Sequence, residues 1–218
     1  MSILRDTHVH QGARRKLVEL LRQKGIRSVA VLDAIGRVPR HLFIDDTAFE
    51  RLAYEDIPFP IGHEQTISQP YTVARQSELL EAQPGDKVLE IGTGCGYQTA
   101  VLCAMGLRPY SIERIRPLHA RAKVRLAAMD YRPQLFFGDG FKGAPAYAPF
   151  DRVLVTCGAP QVPEEVLQQV RVGGRVVLPI GAGDVQTMVV LQRRADGGFD
   201  RSEHGRFRFV PMLNNKVG

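Results

Sequence analysis

Three alternating glycines stand at the point in the chain that is best suited to bind a ligand. They follow a hydrophobic segment at 87–91, which predicts a buried strand, and they precede a predicted helix at 97–105. Ligands of parallel α/β sheets bind outside the carboxyl ends of the strands, commonly at the first turn from strand to helix. The residues predicted to bind a cofactor in this turn are Glu90, Gly92, Thr93, Gly94 and Gly96.

A dinucleotide is the first candidate ligand for such a loop. Its G-x-G-x-x-G pattern would require glycine at position 97 in one register or at position 99 in the other, and the chain has Tyr97 and Thr99 there. An acidic residue followed by three alternating glycines instead resembles the first motif of the class I S-adenosylmethionine-dependent methyltransferases. In that family the bare glycine backbone lets the methionine part of the cofactor come close, since a Cβ atom would collide with it.

Acidic residues also accompany the ends of the next two predicted strands. Glu113 closes the strand at 109–113 and lies 21 residues after Gly92, where an acidic side chain can accept hydrogen bonds from both hydroxyls of a ribose. Asp139 and Gly140 follow the strand after that. The methyltransferase resemblance implies that an acidic residue here approaches the adenine amino group. Glu113, Asp139 and Gly140 are therefore predicted to bind the cofactor.

The predicted strand at 151–155 ends without the motifs of enzymes that methylate nucleic-acid bases. Enzymes that act on exocyclic amino groups carry an Asn/Asp-Pro-Pro-aromatic motif at this point, and cytosine C5 enzymes use a Pro-Cys nucleophile. The chain has Thr156 and Cys157 instead. We interpret Cys157 as a packing thiol, because no basic neighbour in the sequence would lower its pKa.

The loop at 60–71 narrows the class to one family. Its sequence, PIGHEQTISQPY, resembles the signature of the protein-L-isoaspartate O-methyltransferases. The resemblance continues through VLEIGTGCGYQTAVL, the APFD strand entry at 148–151, GGRVVLPIG at 173–181 and RFRFVP at 206–211. It covers nearly the whole chain, apart from about the first ten residues.

The resemblance implies a repair reaction. A methyl group would pass from S-adenosyl-L-methionine to the free carboxylate of L-isoaspartyl residues in damaged proteins or peptides, leaving S-adenosyl-L-homocysteine. It also implies that Ser68 is the catalytic residue and that the substrate peptide is held by the FVP segment. The cofactor pocket would be lined by Gln65, Thr66, Ile67 and Ser68, and the peptide would be held by Phe209, Val210 and Pro211.

The chemistry of a carboxylate agrees with the residues of this loop. A carboxylate is already ionised at pH 7, so its attack on the sulfonium methyl needs no general base. The protein has to align the reacting groups and exclude water, and positioning can contribute on the order of 7–11 kcal/mol. Ser68 would orient the substrate carboxylate by hydrogen bonding. His63 is the titratable group nearby, either as a substrate contact or as a structural loop histidine.

One departure from the family leaves the substrate open. Position 64 is commonly glycine, and Glu64 adds a negative charge beside an anionic substrate. The side chain could repel the carboxylate or point to solvent. A methyltransferase of the same build that acts on another carboxylate or on a small molecule is therefore an alternative.

Charge and composition limit which other classes of function fit this sequence. The net charge of +6 lies entirely in residues 1–40, where nine Lys/Arg oppose three Asp/Glu, while residues 41–218 hold 20 of each. A nucleic-acid-binding protein is the rival hypothesis, but no aromatic residues interleave with these charges, and the solvated face of a helix is the favoured interpretation. Three cysteines without C-x-x-C spacing predict neither a disulfide framework nor a zinc site. Without a transmembrane or secretory segment, we expect a cytoplasmic, monomeric enzyme that uses no metal.

The order of the predicted elements indicates an α/β fold. We expect a doubly wound, Rossmann-like, seven-stranded mixed sheet with an antiparallel edge hairpin and an N-terminal helical lobe. Residues 1–69 would form the lobe with the substrate loop, and residues 70–218 the methyltransferase core. The predicted helices are 14–24, 28–36, 71–82, 97–105, 116–129 and 163–170, and the predicted strands are 87–91, 109–113, 134–138, 151–155, 175–180, 186–194 and 203–210.

Overall fold

Two helices begin the described part of the protein. The computed structural model describes residues 6–218, and for residues 47 and 48 the backbone alone, so that the first five residues of the predicted lobe lie outside it. Helix α1 spans His8–Gln23 and helix α2 spans Val29–Arg37. The side chain of Ser28 caps α2 as predicted. Helix α1 begins six residues earlier than predicted, because the Thr7 side chain caps a polar first turn that has no apolar periodicity.

The segment before the core is a β-hairpin. The two prolines, the glycine and the polar residues of segment 54–69 predict an ordered loop with at most one short strand. The structure forms two antiparallel strands there, β1 (Phe59–Gly62) and β2 (Gln65–Ile67). Phe59 and Ile61 are buried while Pro60 and Gly62 are exposed. The strand period of two is therefore present, but it is too short, and too rich in Pro and Gly, to be recognised in the sequence.

Residues 70–180 form four α-helices and five strands, and two further strands follow. The helices are α3 (Pro70–Leu79), α4 (Tyr97–Ala104), α5 (Arg116–Ala128) and α6 (Glu164–Leu167). The strands are β3 (Lys87–Ile91), β4 (Arg108–Glu113), β5 (Gln134–Phe137), β6 (Phe150–Val155), β7 (Val170–Ile180), β8 (Gln186–Arg193) and β9 (Phe199–Phe207).

The predicted seven-stranded mixed sheet is confirmed. Its strand order is β5-β4-β3-β6-β7-β8-β9; the first five strands are parallel, and β8 and β9 run antiparallel at one edge. The chain winds from β3 through β4 to β5 on one side and returns to β6 and β7 on the other. The carboxyl ends of β3 and β6 therefore flank the point where the winding reverses, which is where such sheets bind ligands.

Two predicted elements near the C-terminus were wrong in extent. Gly173 and Gly174, which predict a turn before the strand at 175–180, instead lie at an irregularity inside the longer β7, which pairs with β6 on both sides of it. The last strand was predicted at 203–210 and lies at 199–207 instead. Residues 208–210 leave the sheet because the chain turns back toward β6, where the backbone amide of Gly158 donates to the carbonyl oxygen of Val210 at 2.8 Å.

Hydrophobic clusters cover both faces of the sheet, as a doubly wound fold requires. Neighbouring residues of β3 alternate between them, Val88 in one and Leu89 in the other. The first cluster also contains Leu17 of α1 and Ile35 of α2, so the lobe packs on the same apolar surface as α4. The boundary at residue 69 stays a prediction. Within residues 6–218, no helix combines the length and the apolar character needed to cross a membrane.

Candidate active site

A cavity opens at the carboxyl ends of β3, β4 and β6. Its walls come from separate parts of the chain: the hairpin, helix α3, the glycine turn, the ends of β4 and β6, the turn after β5 and the segment after β9. Nine of the twelve predicted cofactor residues line it, namely Gln65, Thr66, Ile67, Ser68, Gly92, Thr93, Gly94, Glu113 and Gly140. The fold thus brings together residues that the sequence separates by up to 75 positions.

The glycine turn is shaped by its contact with the end of β6. Gly92 has a φ of 100°, and a Cβ atom there would lie 2.5 Å from the hydroxyl oxygen of Thr156. That hydroxyl donates to the carbonyl oxygen of Gly92 at 2.7 Å. Gly96 faces away from the cavity, where its backbone packs against Leu126 of α5. The alternating glycines therefore allow close packing of the backbone and also leave space in the cavity.

Glu113 presents a fixed carboxylate to the cavity. One oxygen accepts from the backbone amide of Gly94 at 2.8 Å and the other from the amide of Ile115 at 2.9 Å. The side chain is almost completely buried, yet it contributes to the cavity wall. Each carboxylate oxygen can accept more than one hydrogen bond, so Glu113 retains acceptor capacity for the hydroxyls of a ligand.

Glu90 lies below the glycine turn and does not line the cavity. The Thr99 hydroxyl donates to its Oε2 at 2.5 Å, while its Oε1 has no hydrogen-bond partner among the described residues. Burial, with a smaller contribution from the nearby charge of Glu113, raises the pKa of Glu90 to about 7. Glu90 therefore supports the turn from behind, and its direct contact with a cofactor stays a prediction.

Asp139 and His63 also stand back from the cavity wall. Asp139 accepts from the backbone amides of Phe141 at 3.0 Å and Asn215 at 3.1 Å, and so ties the turn after β5 to the C-terminal segment. His63 occupies the exposed tip of the hairpin with a φ of 53°. Glu64 follows it at the same tip, also exposed, with a φ of 56°. Neither tip residue lines the cavity or the neighbouring groove.

A groove of about 690 Å³ joins the cavity from the side of β9. Thr66, Ser68, Thr156 and Val210 line both, so they mark the junction. Of the predicted substrate residues, Val210 lies at this junction. Pro211 lines the cavity and Phe209 lines the groove. A ligand in the cavity and a chain lying in the groove would therefore meet at Ser68.

The residue that holds this junction in place was not predicted from the sequence. Arg40 is fully buried, and its guanidinium donates to the carbonyl oxygens of Ala53 at 2.5 Å, Ile57 at 3.0 Å and Ser68 at 3.1 Å. Burial lowers the pKa of Arg40. Its charge had been counted with the exposed N-terminal basic residues, and nothing in its spacing distinguishes it from them.

One further residue at the cavity, Gln76, also lacked a sequence signal. Gln76 of α3 lines the cavity and donates to the carbonyl oxygen of Val155 at 2.8 Å. Cys157 lines it as well, and burial raises the pKa of its thiol to about 12. Cys157 is therefore a neutral thiol at pH 7, in agreement with the prediction of a packing role.

One group of metal-ligating side chains occurs within residues 6–218, in the N-terminal lobe. Asp6, His10 and His41 place ligand atoms within 4.8 Å of one another. Both oxygens of Asp6 already accept from Arg14, and the two imidazole rings stack with their centroids 3.8 Å apart. Nδ1 of His41 is hydrogen-bonded to the hydroxyl of Tyr54 at 2.7 Å. These contacts form a polar network within the lobe, and the prediction that catalysis uses no metal stays a prediction.

The fold and the site define a class of protein. A doubly wound sheet with a glycine turn after its first core strand, and a carboxylate at the end of the second, is the arrangement of the class I S-adenosylmethionine-dependent methyltransferases. The family model described as Protein-L-isoaspartate(D-aspartate) O-methyltransferase (PCMT) matches residues 12–217. The chain belongs to this family, which confirms the resemblance found in the sequence.

Curated relatives match over nearly their full length. A protein-L-isoaspartate O-methyltransferase from Christiangramia forsetii is 56% identical over 214 residues, which cover 98% of this chain and all of the relative. One from Flavobacterium psychrophilum is 50% identical with the same coverage. These relatives carry the name of the predicted enzyme.

Solved structures agree in fold. A chain named protein-L-isoaspartate O-methyltransferase superposes with a TM-score of 0.84 at 30% identity, covering 93% of this chain and 66% of that one. A Plasmodium falciparum chain, described as beta-aspartate methyltransferase (PCMT) in complex with S-adenosyl-L-homocysteine, gives a TM-score of 0.78 at 20% identity, covering 93% and 99%. The second likeness shows the fold alone.

Gly92→Ala tests the steric role of the glycine turn. Any L-residue at this φ costs roughly 1–2 kcal/mol, and the new Cβ would also collide with Thr156. We expect at least a tenfold loss of affinity for S-adenosyl-L-homocysteine in calorimetric titration. Gly25→Ala is the matched control, since Gly25 has a φ of 94° and no atom within 4 Å of its Cβ position. An equal loss of affinity in both variants would contradict the steric explanation.

Glu90→Gln tests the buried carboxylate. Because the folded-state pKa of about 7 lies above the ordinary value of 4.5, the folded protein retains a proton that the unfolded chain releases between these pH values. Stability therefore falls as pH rises through this window, by on the order of 3 kcal/mol. Glutamine cannot ionise. The free energy of unfolding of the variant, measured in urea, should rise relative to the parent between pH 4.5 and 8, and a constant difference would refute the burial argument.

Proposed function

We propose that this chain repairs damaged proteins by methylating the free carboxylate of L-isoaspartyl residues, with S-adenosyl-L-methionine as donor and S-adenosyl-L-homocysteine as product. The observation that carries the proposal is the junction at Ser68, where a cofactor-type cavity and a chain-sized groove meet. Membership of the isoaspartyl methyltransferase family supports the same reaction.

The cavity walls fit the proposed cofactor. Gly92 has no side chain, and a Cβ atom at this position would collide with Thr156. Glu113 offers a carboxylate suited to a pair of ribose hydroxyls, and the hairpin residues from Gln65 to Ser68 close the cavity from the opposite side. When bound, the cofactor supplies an electrophilic methyl group on a positively charged sulfur.

Ser68 is suited to orient the substrate carboxylate. Its backbone is held by Arg40, while no described residue forms a hydrogen bond with its hydroxyl. The Thr156 hydroxyl, by contrast, is engaged by the carbonyl oxygens of Ile91 and Gly92. The Ser68 hydroxyl can therefore donate to an incoming carboxylate oxygen without breaking an internal bond. Because that carboxylate is already ionised, positioning is the contribution required of the protein.

Isoaspartyl transfer is tested with a pair of isomeric peptides. Incubation with labelled cofactor should give a base-labile methyl ester on an isoaspartyl peptide and at least a hundredfold less on the normal aspartyl isomer. Equal labelling of the two isomers would refute the proposed substrate.

Ser68→Ala tests the orienting hydrogen bond. A hydrogen bond to a charged group contributes about 1.5–3 kcal/mol, so kcat/KM for the isoaspartyl peptide should fall roughly 10- to 100-fold. The melting temperature serves as the control for folding and should change little, because the hydroxyl has no internal partner. Full activity in Ser68→Ala would remove the serine from the mechanism.

The position of Glu64 bears on the alternative substrate. The side chain is exposed at the hairpin tip and lines neither the cavity nor the groove. This favours the solvent-facing interpretation, and with it the isoaspartyl substrate over another carboxylate or a small molecule.

Glu64→Gly checks that interpretation. Removing a left-handed L-residue should stabilise the fold by up to about 1 kcal/mol, while kcat/KM for the isoaspartyl peptide should change less than twofold. His63→Gly is the matched control, because its φ is nearly the same. A large gain in isoaspartyl activity specific to Glu64→Gly would favour a different natural substrate.

We further propose a cytoplasmic monomer that does not act on nucleic acid, with residues 1–69 as the lobe and 70–218 as the core. Several basic residues of the N-terminal segment are engaged within the protein. Arg14 pairs with Asp6, Lys24 pairs with Asp56, and Arg40 is buried. Because these basic side chains contact other residues of the protein, they support a structural role for the N-terminal charge and not a nucleic-acid-binding surface.

A further inference from the structure

The groove beside the junction carries positive charge and an aromatic floor. Its lining includes Arg206 and Arg208, and no Asp or Glu among the described residues contributes to it. Phe207, between the two arginines, stacks with Tyr71, with ring centroids 6.3 Å apart and planes 15° apart. An extended peptide in this groove would lie on aromatic rings with guanidinium groups beside it.

The two arginines are not neutralised by the protein. Both are exposed, and neither forms an ion pair or a side-chain hydrogen bond with a residue in the range 6–218. Other arginines of the same edge are paired: Arg201 contacts Glu203 at 2.9 Å, and Arg194 contacts Asp200 at 3.0 Å. The guanidinium groups of Arg206 and Arg208 are therefore available to pair with a ligand in the groove.

One carboxylate beside the groove is already engaged. Asp56 accepts from the backbone amide of the groove residue Tyr71 at 2.7 Å, but its other oxygen pairs with Lys24 at 2.5 Å. Burial and the neighbouring Arg75 and Arg175 lower the pKa of the groove residue His204, against the opposing charge of Glu81. The charged side chains that line the groove among the described residues are therefore the two cations Arg206 and Arg208.

We propose that Arg206 and Arg208 make this enzyme selective for isoaspartyl sites whose neighbouring residues carry carboxylates. This inference rests on the proposed function, since it assumes that the peptide lies in the groove with its isoaspartyl carboxylate at Ser68. Acidic side chains one to three positions from the damaged residue would pair with the guanidinium groups. Lysine or arginine at the same positions would be repelled.

The size of the selectivity follows from exposed charge pairs. Each exposed charge pair changes kcat/KM by a factor of about 1.5 to 5. Replacing attraction by repulsion at two arginines should therefore change kcat/KM about tenfold. Exposed charges are screened beyond about 10 Å at 0.1 M salt. The preference should therefore decrease steadily with ionic strength, which a preference based on shape would not do.

Three isoaspartyl peptides of equal length provide the test. They carry glutamate, glutamine or lysine at the two positions on each side of the isoaspartyl residue. At 50 mM salt the glutamate peptide should have a kcat/KM at least tenfold above that of the lysine peptide, with the glutamine peptide between them. At 0.5 M salt the ratio should fall below about threefold.

Charge-reversal variants locate the effect. Arg206→Glu and Arg208→Glu should each reduce the glutamate-to-lysine ratio at least threefold, while methylation of the glutamine peptide stays within threefold of the parent. Arg132→Glu is the matched control, because Arg132 is an exposed arginine before β5, at the opposite edge of the sheet from β9. It changes the net charge equally and should leave the ratio unchanged.

The outcomes separate this inference from the proposed function. If the glutamine peptide is methylated but the three peptides do not differ, the selectivity is refuted and the repair reaction stands. An equal effect of Arg132→Glu would also overturn the inference, because net charge alone would then explain the preference. If no isoaspartyl peptide is methylated, both proposals fail.

Discussion

The arrangement of the active site depends on one buried guanidinium. Arg40 donates to carbonyl oxygens at Ala53, Ile57 and Ser68, so the segments before and after the hairpin are held by the same side chain. No carboxylate within residues 6–218 neutralises it through an ion pair, and hydrogen bonds from a charged group to backbone carbonyls are worth about 1.5–3 kcal/mol each. Since the hairpin lies between two of these contacts, the location of Ser68 follows from the position of Arg40.

A second set of arginines holds the other face of the hairpin. Arg121 of α5 donates to the carbonyl oxygen of Ile61 at 2.8 Å, and Arg125 donates to that of Cys95 in the glycine turn at 3.3 Å. Both arginines also pair with Asp45. Helix α5 therefore links the hairpin to the glycine turn, which form opposite walls of the cavity. Two independent sets of charge-assisted contacts therefore position the walls of the site.

The elements predicted correctly from the sequence are those with a simple pattern of hydrophobic residues. Strands β3, β4 and β6, the glycine turn and Glu113 could all be placed, because a buried strand followed by glycine or an acidic residue has a distinct pattern. The hairpin was predicted only as a loop with at most one short strand, since each of its two strands spans only three or four residues. Arg40 could not have been found in this way, because a charged residue gives no sign in the sequence that its partners are backbone carbonyls. The end of β9 was misplaced for a similar reason: its departure from the sheet depends on a long-range contact with Gly158.

The two glutamates at the strand ends show what the reaction requires of its surroundings. Methyl transfer from a sulfonium to a carboxylate joins a cation to an anion, so charge is lost on the way to the transition state. Strong ionic stabilisation of either reactant would therefore slow the reaction, since only interactions that strengthen in the transition state accelerate it. Glu113 accepts hydrogen bonds from two backbone amides and lines the cavity. Glu90 lies behind the glycine turn, where burial raises its pKa to about 7. The apolar side chains of Ile61, Ile67 and Ile91 complete the wall. A carboxylate and a methyl donor would thus meet at the junction of cavity and groove, where the Ser68 hydroxyl can orient the carboxylate.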